Sequence, residues 1–329
     1  MRSHIIQSVR SFFDHKNYLE VDTPLLSPTL IPESCLEVFR TDRIPYVNSK
    51  KIKPYWLIPS PEIWMKKLIA SHKRNIYQIC KSFRNGESCG NMHSPEFTML
   101  EYYTMNVSYI DSIKITEDLV DNILCNTQSG FIYYDDANYK TIEPPFLRMS
   151  MDEAFSLYAG FSLNDAIKRG TLYDEAIRLG LDVLKDTKEE LLYNLIFIDK
   201  VENALPSEKP VVLLDYPAIV RCLAASVEGE GGVLNKERWE LYIHGIEAAN
   251  CFSEETDALR VKDFFEDETN EKNKNAIVKH DVDSNYYKIF EDFPICSGVA
   301  LGMDRLIMAV CGRKTIDGVL SFPMKDNNE

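Results

Sequence analysis

Residues 83–101 read FRNGESCGNMHSPEFTMLE, and this stretch decides the fold. The segment that leads into it, residues 76–84, alternates between apolar and polar side chains, which predicts a β-strand. Residues 85–94 hold two glycines and no apolar run, as expected of a hairpin loop. Residues 96–104 alternate again and predict the return strand. The stretch therefore predicts two strands joined by a polar loop.

Hydrophobic spacing predicts further elements on both sides of these strands. Before them come a helix at 3–17, a short strand at 19–21, a strand at 55–58 and a helix that begins near residue 60. After them come strands at 211–215 and 238–246, a charged mobile helix or loop at 261–283, and a glycine-rich strand-to-helix segment at 297–310.

The middle of the chain follows a mostly helical pattern. We interpret residues from about 108 to 207 as a helical insertion within one domain that spans residues 1–329. Outside the insertion, strands and helices are mixed along the chain. The prediction is therefore an α+β fold, with an antiparallel sheet flanked by helices.

The composition is that of an ordinary globular chain, with 45% hydrophobic and 27% charged residues in 329. There is no run of about 18 apolar residues, which a membrane span would need. The N-terminus also lacks the apolar core of a signal peptide. The eight cysteines form no Cys-x-x-Cys pair, which predicts neither a zinc site nor a disulfide framework. These features predict a cytoplasmic protein with no membrane association.

The formal net charge is −14, and the lysines are dispersed or interleaved with acids. Proteins that grip a phosphate backbone usually present a basic face. The charge therefore weighs against nucleic acid, including tRNA, as the main partner.

The sequence contains none of the common nucleotide-binding loops. It has no Gly-x-x-x-x-Gly-Lys-Ser/Thr stretch and no Gly-x-Gly-x-x-Gly after a strand. It also lacks a His-Glu-x-x-His motif and a serine nucleophile elbow. A nucleotide would have to be bound on an antiparallel sheet by arginines and carboxylates.

Three segments, in chain order, carry such residues. They are the N-terminal helix with LEVDTP (19–24), FRNGE (83–87) with HSPEFTMLE (93–101), and GVALGMDR (298–305). Together they resemble motifs 1, 2 and 3 of the class II aminoacyl-tRNA synthetases, specifically the lysyl subgroup. The resemblance implies the catalytic fold of that class and formation of an aminoacyl adenylate from ATP.

The resemblance assigns an ATP site. Adenylate formation gathers negative charge on phosphate oxygens, so the site needs fixed cations rather than a covalent nucleophile. By resemblance, Arg84 binds the α-phosphate and Arg305 the γ-phosphate, which planar guanidinium groups suit. Phe97 stacks under the adenine, and His93 lies in the loop over the nucleotide. Gly86 stands where the commoner pattern has an acid, and Glu87 takes over that role.

A magnesium site follows from the same resemblance, since Mg²⁺ prefers hard oxygen ligands. Glu240 and Glu247 occupy the positions of the metal carboxylates. Their odd spacing would put them on opposite faces of one flat strand. Gly245 between them permits a bulge that realigns them.

The amino-acid pocket is also assigned by resemblance. Glu101 and Glu254 grip a side-chain ammonium, with Tyr103 and Asn250 as hydrogen-bonding partners, and Glu62 holds the backbone amine. An ammonium that leaves water requires opposite charge and hydrogen bonds. Three carboxylates fit a diamino acid that carries two positive charges.

The length suggests which ligase the chain resembles. Motif 1 begins almost at Met1, which leaves no room for the anticodon-binding domain that precedes the catalytic domain in lysyl-tRNA synthetases. This arrangement resembles the elongation factor P (R)-β-lysine ligase family, whose pattern includes Ser60-Pro61-Glu62. Alanine at position 300, where lysyl-tRNA synthetases have glycine, would crowd the pocket and favour the β-amino isomer. The resemblance implies ATP and Mg²⁺ as cofactors, (R)-β-lysine or lysine as substrate, elongation factor P as acceptor and a homodimer.

Other interpretations stay open. The chain could be a truncated lysyl-tRNA synthetase paralogue that charges a tRNA, a non-catalytic amino-acid-binding regulator, or an amide synthetase for a small molecule. Taken singly, each site residue also has a structural interpretation. Arg84 could pair with a surface acid, Phe97 could be core, and Ala300 could be small core packing.

Overall fold

The computed structural model describes residues 1–46, 49–87, 89–127, 141–229 and 232–324. Its α-helices are α1 (Arg2–His15), α2 (Glu62–His72), α3 (Tyr109–Asn126), α4 (Met151–Tyr158), α5 (Leu163–Arg169), α6 (Leu172–Arg178), α7 (Glu189–Ile196), α8 (Ala258–Asn275) and α9 (Met303–Val310). Its strands are β1 (Leu19–Glu20), β2 (Leu26–Ser27), β3 (Arg40–Arg43), β4 (Lys53–Leu57), β5 (Ile76–Phe83), β6 (Glu96–Met105), β7 (Leu147–Ser150), β8 (Val211–Pro217), β9 (Ser226–Glu228), β10 (Leu234–Ile243), β11 (Ile246–Ser253) and β12 (Cys296–Gly302).

Two sheets organise these strands. Within the described residues, the main sheet has the order β1-β5-β6-β12-β11-β10-β8-β7, and β9 pairs with β10. Its central strands are antiparallel, while the outer pairs β1/β5 and β7/β8 are parallel. A small antiparallel sheet has the order β2-β4-β3. The α+β prediction is confirmed, and the two parallel outer pairs are an addition to it.

Helix α1 packs against the main sheet through one apolar face. Ile5, Val9, Phe12 and Phe13 are buried, at the spacing expected for one side of a helix. The ring of Phe13 stacks on Tyr77 of β5 at a centroid distance of 4.6 Å. These contacts fix the N-terminal segment on the hairpin formed by β5 and β6.

The predicted single strand at 238–246 is wrong. Strand β10 ends at Ile243 and β11 begins at Ile246, so the chain reverses at His244 and Gly245. Both turn residues have positive φ, 54° and 78°. Two such residues form the tight turn whose twist matches antiparallel strands. Glu247 therefore lies on the strand after the turn.

The hairpin itself puts the predicted metal carboxylates on one face, and the β-bulge of this region is not at Gly245. Glu247 shares a face with its partner Tyr242, and Tyr242 shares that face with Glu240, two residues earlier on β10. Leu241 pairs with Ala249, which leaves Ala248 as the extra residue on β11. The bulge at Ala248 brings Asn250 to the same face, opposite Glu240.

The middle of the chain is mostly helical where it is described. It holds α3 and α4–α7, then a π-helical turn at Phe197–Val201. It also contributes β7, which pairs with β8 at the edge of the main sheet. Residues 128–140 of the predicted insertion lie outside the described residues, as do 325–329 of the predicted domain. The insertion and the single domain stay predictions.

The charged segment at 261–283 is largely helical, since α8 covers most of it. Two buried side chains of α8 hold the loop that precedes β3. Lys272 Nζ donates to the carbonyls of Glu33, at 2.8 Å, and Leu36. Glu268 accepts from the backbone N–H of Ser34 at 2.8 Å. Helix α8 therefore fixes a loop that borders the cavity of the next section.

No described helix has both the length and the apolar character that crossing a bilayer requires.

We expect Phe13→Ala to lower the free energy of unfolding by about 3–5 kcal/mol, because it removes a fully buried ring from the core. Urea denaturation measures the change. Phe322→Ala is the control, since that ring is 92% exposed, and it should change stability by less than about 0.5 kcal/mol. Equal effects of the two substitutions would contradict the packing of α1.

Candidate active site

A cavity of about 560 Å³ opens beside the central strands of the main sheet. This volume suits a small-molecule site. The predicted site residues that line it are Glu62, Arg84, Glu87, His93, Phe97, Glu240, Glu247, Asn250, Ala300 and Arg305. The remaining four are Ser60, Glu101, Tyr103 and Glu254. Ser60 and Glu101 contact lining residues directly, whereas Tyr103 and Glu254 are linked to them through Glu101 and Lys66.

Strand β12 positions the centre of the site. Ala300 pairs with Glu101 of β6 on one side and Asn250 of β11 on the other. Two residues earlier on the same face, Gly298 pairs with Tyr103 and Phe252. Residues that are far apart in sequence thus become neighbours across three strands.

Gly298 leaves room for two pocket side chains. A Cβ at this position would lie 2.6 Å from Tyr103 Cε1 and closer still to Glu254 Oε1. Real Cβ atoms essentially never approach that closely. Only glycine therefore permits the observed placement of Tyr103 and Glu254.

A hydrogen-bond network holds Glu101 beneath the cavity. Ser60 Oγ donates to Glu101 Oε2 at 2.6 Å, and the Tyr103 hydroxyl donates to Glu101 Oε1 at 2.7 Å. Ser60 Oγ also accepts from the backbone N–H of Glu62 at 3.1 Å, as a residue at a helix start does. Burial and the Glu62 carboxylate raise the pKa of Glu101 from 4.5 to about 8. Burial therefore favours the protonated form of this carboxyl near neutral pH.

The sequence analysis missed Lys66, which lies behind the cavity wall and contacts Glu62. Its side chain is fully buried, and Nζ lies 2.5 Å from Glu62 Oε1 and 2.6 Å from Glu254 Oε2. Burial lowers the pKa of Lys66, but Glu254 and Glu62 outweigh it, and the pKa ends well above its usual value. Burial raises the pKa of Glu254 to about 7, despite the nearby Lys66.

Arg84 and Phe97 meet at another part of the cavity. The Arg84 guanidinium lies over the Phe97 ring, 5.4 Å from its centroid. Arg84 Nε is buried and has no hydrogen-bond partner within the described part of the chain. A buried donor without a partner costs free energy, which an incoming acceptor would recover. This geometry suits an anionic or aromatic ligand.

Arg305, His93 and Glu87 also border the cavity. Arg305 donates to the carbonyl of Glu247 at 2.7 Å, and its guanidinium lies 3.9 Å from the Glu247 carboxylate. His93 Nε2 lies 3.8 Å from Glu87. Burial, then the positive charges of Arg305 and Arg84, lower the pKa of His93. The neutral imidazole is therefore favoured.

Glu240 is buried among hydrogen-bond donors. The hydroxyls of Tyr216 and Tyr242 donate to its Oε2 at 2.6 and 2.7 Å. Arg238 pairs with its other oxygen and donates to Asn250 Oδ1 at 3.2 Å. Arg238 thus joins a predicted metal carboxylate to a predicted substrate residue.

Glu247 is the second predicted metal carboxylate. Burial and the charge of Glu240 raise its pKa to about 7. Two nearby carboxylates can bind Mg²⁺ together with substrate phosphates. Among the described residues, no group of three or more His, Cys, Asp or Glu side chains is placed to hold a metal ion. The Mg²⁺ site stays a prediction.

Comparison with known proteins identifies the family. Residues 1–326 match the family model of class II tRNA synthetases (D, K and N). A protein of Buchnera aphidicola subsp. Schizaphis graminum (strain Sg) is 34% identical over 98% of this chain and 94% of its own length. A protein of Avibacterium paragallinarum is 34% identical over 99% of this chain and 94% of its own length. Both are named elongation factor P–(R)-β-lysine ligase.

The chain belongs to this ligase family within the class II synthetases. It is an ATP-dependent ligase.

Two residues of the ligase site left signals in the sequence. Lys66 lies four residues after Glu62 on a predicted helix, the spacing of a helical ion pair. Arg238 lies two residues before Glu240 on a strand, so the two side chains share a face. Each signal is weak alone, because most such charges lie on solvated surfaces. The need for glycine at 298 left no local signal.

We expect Gly298→Ala to lower amino-acid-dependent ATP–pyrophosphate exchange by at least about tenfold, because the methyl group displaces Tyr103 and Glu254. In the control Gly318→Ala, the methyl group meets only the flexible side chain of Arg313, at 3.2 Å, among its nearest neighbours. Exchange assays on both variants, with thermal unfolding to check their folds, measure the effect. Wild-type exchange in Gly298→Ala would contradict this account of the pocket.

Proposed function

We propose that the ligase adenylates (R)-β-lysine, or lysine, and transfers it to the ε-amino group of a lysine on elongation factor P. The observation that carries the substrate is a cluster of three carboxylates beside the cavity: Glu62 lines it, and Glu101 and Glu254 are linked to Glu62 through Ser60 and Lys66. Two substrate ammonium groups would supply the opposite charge that such a site requires. The acceptor is proposed from the names of the relatives.

The fixed cations support the first step. The substrate carboxylate attacks the α-phosphorus of ATP, and pyrophosphate leaves. Arg84 and Arg305 lie on the cavity wall, where preorganised positive charge stabilises the negative charge of the transition state. Arg84 Nε has no hydrogen-bond partner among the described residues and can donate to a phosphate oxygen.

Mg²⁺ belongs to the proposal, with Glu240 and Glu247 as the residues that would hold it. Glu240 is oriented by Arg238 and two tyrosine hydroxyls, which suits a carboxylate that must keep one position. Bound Mg²⁺ would neutralise charge on the leaving phosphates.

The second step forms an amide. The neutral ε-amine of the acceptor lysine attacks the acyl carbon of the adenylate, AMP leaves with the bonding electrons, and the amine loses a proton. Alanine at position 300 pairs with Glu101 and Asn250 and lines the cavity. We propose that its methyl group favours the β-amino isomer over lysine.

A homodimer is part of the same proposal. Leucines at positions 19, 25 and 26, in the segment from β1 to β2, are 36–47% exposed in the single chain. A second copy would remove this apolar surface from water.

The transfer reaction tests the proposal directly. We expect label from (R)-β-lysine to reach purified elongation factor P in the presence of ATP and Mg²⁺, and total tRNA to remain unlabelled. Gel separation of protein and RNA after the reaction measures both acceptors. Label on tRNA would favour the truncated synthetase, and binding of an amino acid without adenylate would favour the regulator.

Ala300→Gly should increase the use of lysine relative to (R)-β-lysine by about tenfold, since one methyl group in a pocket discriminates by about 1–3 kcal/mol. The ratio of kcat/KM for the two amino acids in pyrophosphate exchange measures the change, and KM for ATP serves as the internal control. An unchanged ratio would remove Ala300 from the account of isomer choice.

A further inference from the structure

Lys66 places an ammonium group of the protein inside a site for ammonium groups. It lies on α2, one helical turn after Glu62, and none of its side chain reaches solvent. Its Nζ touches the carboxylates of Glu62 and Glu254, which come from separate parts of the chain. A lysine is almost never fully buried unless it is paired. Its two pairs involve residues predicted to bind the substrate.

The charges of the pocket can be counted. Glu62, Glu101 and Glu254 carry three negative charges when ionised, and Lys66 carries one positive charge. The remaining charge of −2, reached once Glu101 has lost its proton, matches the two ammonium groups of one diamino acid. Without Lys66 the same pocket would hold one buried negative charge too many, and uncompensated buried charge is strongly unfavourable.

Glu62 and Glu254 also need a fixed orientation. Glu62 projects from α2, and Glu254 follows the end of β11. One Nζ at 2.5 and 2.6 Å from the two carboxylates fixes their separation. Each carboxylate has two oxygens and accepts further hydrogen bonds. The carboxylates can therefore bind Lys66 and a substrate amine together.

We propose that Lys66 is a positioning residue that orients Glu62 and Glu254 and reduces the charge of the pocket to that of one diamino substrate. The substrate part of this statement rests on the proposed function. The role of Lys66 as internal counter-ion does not depend on the acceptor.

The charge of Lys66 changes the pKa values of its neighbours, whereas an aliphatic side chain that only packed there would not. The titratable groups that face the Lys66 cluster are Glu62, Glu101, Tyr103, Glu254, Tyr286 and Cys296. The positive charge of Lys66 lowers the pKa of Glu101 and of Glu254, which still reach about 8 and about 7 because of burial. Removal of Lys66 therefore raises both values further.

The first test is Lys66→Met, which keeps the length of the side chain and removes the charge. We expect KM for the amino acid in pyrophosphate exchange to rise at least about tenfold at pH 7, with KM for ATP within about twofold. The loss should shrink at pH 8.5, where more of the carboxyl groups ionise. The control is Lys114→Met, a 69% exposed lysine that also pairs with a carboxylate, Asp118. An unchanged KM for the amino acid, or a loss independent of pH, overturns the proposal.

The second test needs no substrate. A folded state that keeps Glu101 protonated up to about pH 8 loses stability as pH rises above 4.5, since the unfolded chain gives up the proton first. With Lys66→Met this loss continues to higher pH. The unfolding equilibrium constant, relative to wild type, should be at least about tenfold larger at pH 8.5 than at pH 6. If the ratio of the variant's unfolding constant to that of wild type is the same at pH 6 and pH 8.5, the proposal is overturned.

A double variant covers the case in which Lys66→Met does not fold. Lys66→Met with Glu254→Gln restores the formal charge of −2, so it should be more stable than Lys66→Met alone at pH 8.5. A double variant that is no more stable overturns the proposal. Wild-type protein that exchanges pyrophosphate with neither lysine nor (R)-β-lysine overturns the proposed substrate instead, and the unfolding measurements still decide the role of Lys66.

Discussion

The hydrogen-bonded register of β12 between β6 and β11 is the constraint on which the site depends. It fixes Ala300 between Glu101 and Asn250, and Gly298 between Tyr103 and Phe252. A shift of one residue would turn these side chains to the opposite face of the sheet. The buried apolar residues of the other face, such as Val299 and Leu301, prevent that shift because it would expose them. The hydrophobic core therefore sets the geometry of the polar pocket.

Within the site, positive and negative side chains lie close to one another. The chain is acidic overall, with a formal net charge of −14, yet its cavity holds Arg84, Arg238 and Arg305 beside its carboxylates. Phosphates and ammonium groups need opposite surroundings, and the two kinds of side chain are close together on one sheet. The net charge of this ligase therefore does not reveal the positive charges in its site.

The sequence predicted the parts that follow from periodicity and local motifs. The β5–β6 hairpin, α1 and the passage from β12 into α9 follow from alternating or helical spacing and are confirmed. The turn at His244 and Gly245 was missed, because histidine at a positive φ carries no strong turn signal. Lys66 and the need for glycine at 298 depend on neighbours distant in sequence. Such contacts arise from strand order, which one sequence does not reveal. The roles of the individual site residues stay predictions.

The bulge at Ala248 has a consequence for how the sequence of this region can vary. Between the turn at residues 244–245 and Asn250, the chain needs one residue more than regular pairing would use. The surplus residue lets Asn250 share a face with Glu240 and Glu247. A shortened segment could retain every acidic residue and still lose the site. The number of residues between the turn and the pocket is therefore as much a functional property as their identity.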